Sequence, residues 1–189
     1  MFHHQALRIF YQLEFFMALR AFSHTEIENV SDALDIAEDV TGNFFKFSFG
    51  QWKKHRYDVR TLRSLNRHEI RPYAFALLNK GVRQTNEYDS RSREQDFYSI
   101  CLQDHLILNA LKKDKDLGLM PLLVYVFTHE LVHIVRFCNF LKRFDDTDRE
   151  REEMIVHSQT YEILKELPVP RLDYILDSYQ GHRLCGMVS

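Results

Sequence analysis

Cysteine is scarce in this chain of 189 residues. Cys101, Cys138 and Cys185 are odd in number, far apart and without a C-x-x-C pair. A disulfide framework and a cysteine-ligated zinc site are therefore not expected, and free thiols in a reducing cytoplasm fit the pattern. A surplus of either charge is lacking too. The formal net charge is -2, with both signs scattered along the chain, unlike the basic footprint of a nucleic-acid binder. Near the N-terminus no apolar run goes unbroken: Arg8, Glu14 and Arg20 interrupt Ile9-Phe10-Tyr11 and Phe15-Phe16-Met17. Neither a secretory signal nor a membrane span of about 20 apolar residues is expected there. Internal repeats and low-complexity segments are missing as well. The expectation is a soluble, cytoplasmic protein with no nucleic-acid and no membrane partner.

What is present is core material. Hydrophobic residues make up 45% of the chain and aromatic ones 13%, which argues against disorder. The length suits a single domain over 1–189, with an N-terminal helical part over 1–85, a core over 95–167 and a C-terminal helix and tail over 168–189. Taken in order, 5–22 reads as an aromatic amphipathic helix and Asn29–Val40 as a second, with Ser31 a possible cap and Gly42-Asn43 its close. Phe44, Phe45, Phe47 and Phe49 form an aromatic patch, read as a short strand or an extended core segment. Arg60–Leu65 and Ile70–Lys80 read as helix, with Pro72 in a first turn. Thr85–Glu94 reads as a loop. The basic residues Lys53, Lys54, His55, Arg56, Arg60 and Arg63 read as a solvated face.

Phe97–Leu102 has strand-like residues, and His105–Leu111 either extends it or forms a helical turn. Pro121 is placed to open a helix that runs through Leu122–Val135 to about Phe140 or Leu141. Thr147 and Glu150 have capping-box spacing for a further helix from Asp148 to Leu167, stopped by Pro168 and Pro170. Arg171–Tyr179 is a last helix. The fold class expected is mainly α with a small β-sheet, α+β, built around the apolar helix at its centre.

That central helix carries chemistry. Thr128-His129-Glu130-Leu131-Val132-His133 contains H-E-x-x-H. At about 100° per residue, His129 and His133 share a face one turn apart, where both imidazoles reach one ion. Glu130, beside His129 and three residues before His133, is placed to act as a general base without ligating. Polar groups on an apolar helix are costly unless satisfied, and Zn2+ would satisfy them. The bland alternative is an accidental motif made of core histidines.

The motif resembles the zincin metallopeptidases, whose extended pattern requires uncharged residues around and between the ligands. Val126, Thr128, Leu131, Val132, Ile134 and Val135 comply. The resemblance implies a compact zincin-like domain, a zinc-dependent hydrolase with a peptide or protein substrate, and a strand before the helix with which substrate pairs. Phe97–Leu102 is the candidate for that strand. The metzincin continuation is absent, because Phe137, Cys138 and Phe140 occupy that stretch.

A catalytic zinc takes three protein ligands and keeps one position open. On the helical wheel of 148–167, Val156, Ile163, Leu164 and Leu167 define a buried face, with Glu153 near its centre and His157 one turn on. Glu150 and Glu152 fall on its margins, where a solvated carboxylate is unremarkable. Glu153 is therefore favoured as third ligand. The spacing from His133 also resembles the gluzincin branch, in which a downstream helix supplies a glutamate. There a second carboxylate often follows one turn later, and His157 departs from that pattern. His157 stays open as a partner orienting the site, a donor to the transition state, or the third ligand itself. A further donor is expected among Tyr161, Tyr174, Tyr179 and His182, with nothing to choose between them. Two other classes remain: a non-catalytic zinc-binding scaffold or sensor, and a helical interaction module.

Overall fold

The computed structural model describes residues 19–84, 94–139 and 148–179. It is mainly helical with a small three-stranded sheet, the α+β class expected. Helix α1 spans His24–Phe45. A capping box starts it: Glu26 N–H donates to Ser23 Oγ at 3.4 Å, and Ser23 N–H donates to Glu26 Oε2 at 2.7 Å. Ser31 lies inside this helix and does not cap it. The helix expected over 5–22 falls mostly outside the described residues, and Leu19–Ser23 are not helical.

The aromatic patch is neither strand nor extended segment. Phe44 and Phe45 end α1, the chain turns at Lys46 with φ 54°, and Phe49 opens the short helix α2, Phe49–Lys54. Phe47 N–H donates to Gly42 O at 2.8 Å across this turn. A Cβ on Gly42 would sit 3.2 Å from the Phe47 carbonyl oxygen, so glycine there permits the close approach rather than ending the helix.

The sheet is the larger departure from expectation. Strand β1 is Tyr57–Arg60, followed by a 3-10 turn at Leu62–Ser64, where Arg60–Leu65 reads as helix. Strand β2 is Ala76–Gln84, where Ile70–Lys80 reads as helix. Ala74 to Leu78 are five consecutive buried residues, and alanine and leucine favour helix when no alternation shows. Pairing with β3, Glu94–Leu102, overrides that preference. The order is β1-β3-β2, with β1 parallel and β2 antiparallel to β3. The strand expected at Phe97–Leu102 is there, but it is central. Tyr57–Arg60 pair with Tyr98–Cys101 on one side and Ala76–Gln84 on the other. Both of its hydrogen-bonding edges are taken over that stretch, so a substrate cannot add to it. The expected loop Thr85–Glu94 lies outside the described residues up to Glu94, which begins β3.

Helix α3, Asp104–Lys113, follows directly. Asp104 ties distant segments together: its Oδ2 accepts from Phe22 N–H and its Oδ1 from Leu62 N–H, each at 3.0 Å. Helix α4, Leu119–Cys138, is the centre of the molecule, buried without interruption from Pro121 to Cys138. By length and composition it is apolar enough to cross a membrane, yet 89% of its most apolar window is buried inside the protein. Core packing accounts for that composition. Tyr98 stacks on Phe137 at 6.1 Å and joins the sheet to α4. Helices α5, Arg149–Leu164, and α6, Leu172–Tyr179, complete the packing around it. Thr147, expected as a cap, is outside the described residues, and Asp148 at the N-cap makes no side-chain capping bond. Cys101 and Cys138 are buried free thiols.

Candidate metal centre

α4 and α5 together place the polar cluster. His129 and His133, one turn apart on α4, are both fully buried, and their Nε2 atoms are 3.2 Å apart. α5 brings Glu153 against them. Its Oε2 lies 3.3 Å from His129 Nε2, and its Oε1 lies 3.4 Å from His133 Nε2. Both Glu153 oxygens lack a hydrogen-bond partner, as do the Nδ1 atoms of both histidines. Groups left so are expensive to bury. The two Nε2 atoms, which hydrogen-bond to one another at 3.2 Å, and the two Glu153 oxygens face a common space.

The separations test what could fill that space. A tetrahedral ion with ligand bonds of about 2.0–2.1 Å sets its donors roughly 3.3 Å apart. The two Nε2 atoms are 3.2 Å apart, close to that spacing, and each faces a different oxygen of the Glu153 carboxylate, at 3.3 and 3.4 Å. Two imidazoles and a carboxylate are also a donor set that zinc accepts. Burial alone would raise the Glu153 carboxyl, but the two imidazoles beside it more than reverse this and hold it well below the ordinary carboxylate range. The residues present fit a zinc ion.

His157 completes the group from one turn along α5. Its Nε2 is 3.9 Å from Glu153 Oε2, and its ring lies 4.6 Å from that of His129. One donor atom each from His129, Glu153 and His157 lie within 4.8 Å of one another. In this triad one carboxylate oxygen, Glu153 Oε2, faces both imidazoles, at 3.3 Å from His129 Nε2 and 3.9 Å from His157 Nε2. Burial, reinforced by the charge of His129, pushes the His157 imidazole down to about 4, so it is neutral at pH 7. Its Nδ1 is 3.0 Å from the Tyr125 hydroxyl. That bond sets whether Nε2 carries a proton or a lone pair toward the cluster.

All four side chains singled out around the motif, His129, His133, Glu153 and His157, therefore meet at one place. Glu130 is 2% exposed on the same turn of α4. Glu152 is not a solvated margin residue: it is 2% exposed and forms a bidentate pair with Arg136, at 2.6 and 2.8 Å. The buried stripe of α5 is Glu152, Val156, Thr160 and Leu164, turned from the wheel drawn on Ile163 and Leu167, which are only partly buried. Glu153 and His157 stand at its rim, with side chains 17% and 19% exposed, and through them the cluster meets solvent.

Sequence reasoning missed Tyr125 and Arg136. Each had a signal. Tyr125 precedes His129 by four residues on the same face, and Arg136 is a lone charge in a buried run that must find a partner. Of the other donors considered, Tyr174 donates to Asp114 Oδ2 at 2.7 Å on the segment before α4. Tyr179 packs against Phe75 and Tyr125. Tyr161 is partly buried, and His182 lies outside the described residues. Comparison with protein-family models, curated proteins and solved structures finds no match.

Proposed function

We propose that this chain is a zinc-dependent amide hydrolase of zincin type, a metallopeptidase acting on a peptide or protein substrate in the cytoplasm. His129, His133 and Glu153 would hold the ion, and Glu130 would be the general base. The observation that carries this reading is the convergence of two buried imidazole Nε2 atoms, 3.2 Å apart, with a Glu153 carboxylate whose oxygens lie 3.3 and 3.4 Å from them. When bound, zinc polarises a carbonyl and lowers the pKa of a water toward neutrality. Glu130 takes a proton from the attacking water on a carboxylate oxygen and returns it to the leaving amine nitrogen. His157 stands at the exposed rim. With the Tyr125 hydroxyl donating to its Nδ1, its Nε2 holds the proton and can donate to an oxyanion that develops beside Glu153.

Retention of Glu130 beside the motif histidines also favours hydrolysis. A structural zinc site is usually closed by four ligands and has no use for Glu130. The scaffold reading draws on His157: if it ligates together with the other three, the site closes.

Elemental analysis of the wild type beside Glu153→Ala and His157→Ala tests the assignment. About one zinc per chain, lost with Glu153→Ala and kept with His157→Ala, is expected and justifies screening peptides. Loss with either substitution moves the assignment to a closed site. A wild type that takes up no zinc when supplied with it ends the hydrolase reading.

A further inference from the structure

His133 lies between two consecutive glutamates of α5. Glu153 Oε1 is 3.4 Å from its Nε2, on the side where the donors converge, and Glu152 Oε1 is 4.0 Å from its Nδ1 on the other. Adjacent helical residues diverge by about 100°, so one pair of carboxylates can flank both nitrogens of one ring. The two are held differently. Glu153 faces only imidazoles, those of His129, His133 and His157, whereas Glu152 is gripped by Arg136, Nε to Oε1 at 2.6 Å and Nη2 to Oε2 at 2.8 Å. Arg136 follows His133 by three residues on α4 and also donates to Gln159 Oε1 at 3.4 Å, so the guanidinium is held by two residues of α5. A carboxylate has about four acceptor positions, and a bidentate arginine fills two. Glu152 Oε1 therefore keeps one for the His133 Nδ1–H, which has no partner of its own.

We infer that the Arg136–Glu152 pair is a positioning device for His133: Glu152 Oε1 accepts the Nδ1 proton and so turns the Nε2 lone pair toward His129 and Glu153. The inference rests on the zinc reading above. A ligating histidine needs an acceptor on its other nitrogen to fix tautomer and ring orientation. A motion of about 1 Å closes the gap to hydrogen-bond length. The same arrangement explains why a charged pair is kept in a core that leucine or methionine would fill at similar stability.

The test must separate positioning from mere structure, because removing one member leaves the other charge buried and unpaired. Arg136→Met with Glu152→Gln removes both charges at once. Zinc affinity is measured by competition with a chelator, and Co2+ is added as a spectroscopic probe of ligand geometry. Expected are an apo-protein that melts near the wild type, zinc affinity weaker by about 10–100-fold, and a shifted cobalt visible band. A folded double variant with wild-type zinc affinity and an unchanged cobalt band overturns the inference and leaves the zinc site standing. If the double variant does not fold, Glu152→Asp decides the matter. It keeps the charge beside Arg136 but withdraws the oxygen from Nδ1, so affinity should fall, and unchanged affinity overturns the inference. A wild type that binds no zinc overturns the zinc reading and this inference with it.

Discussion

Replacing Glu130 with glutamine keeps the shape of a buried side chain and removes its capacity to take a proton. Turnover of a responsive peptide should fall by about 10²–10⁴-fold, while zinc content stays near one per chain. Loss of the metal together with activity would place Glu130 among the ligands instead. At Tyr125 the change is subtler. Tyr125→Phe deletes the hydroxyl 3.0 Å from His157 Nδ1 and leaves the ring packing against Tyr179. Nitrogen NMR of the imidazoles should then report a redistributed His157 tautomer, with stability reduced by only about 1 kcal/mol. An unmoved tautomer would mean that the hydroxyl does not orient the ring.

Among the elements, α1 and α3 offer direct tests of what anchors them. Ser23→Ala breaks one half of the capping box that starts α1. It should cost about 1 kcal/mol, read from the denaturant midpoint. Asp104 holds two backbone N–H groups from segments 42 and 82 residues away. Asp104→Ala leaves both donors without their acceptor and should cost about 2 kcal/mol or more. If instead Ser23→Ala is the more damaging, the Asp104 junction is not what ties Phe22 and Leu62 to α3. The same elements explain where sequence reading fails. Ser23-x-x-Glu26 is a legible cap, but the apolar periodicity by itself starts the helix only at Asn29. Ala76–Leu78 are buried on both faces of β2, so the alternation that marks a strand is absent, and only the pairing with β3 reveals one.

For the whole molecule, a zinc ion held between α4 and α5 should stabilise the folded state. At a hundredfold excess over Kd the gain is about 2.7 kcal/mol, or roughly 5–10 °C in Tm for a chain of this size. Melting with zinc and after chelation should differ by that much, and identical curves would count against a metal at this helix pair. The sequence by itself determined the fold class, the buried central helix and the two motif histidines. Each rests on local periodicity along one continuous segment, where spacing alone dictates which residues share a face. The tertiary structure alone decided the rest. Glu152 turned inward because Arg136 on another helix is there to neutralise it. β3 became central, and closed to a substrate strand, because partners from both sides paired with it. Tyr125 acquired a role because α5 delivers His157 to its hydroxyl. Burial of a charge, pairing of a strand and approach of two helices depend on residues far apart in the chain, and no local pattern carries that information.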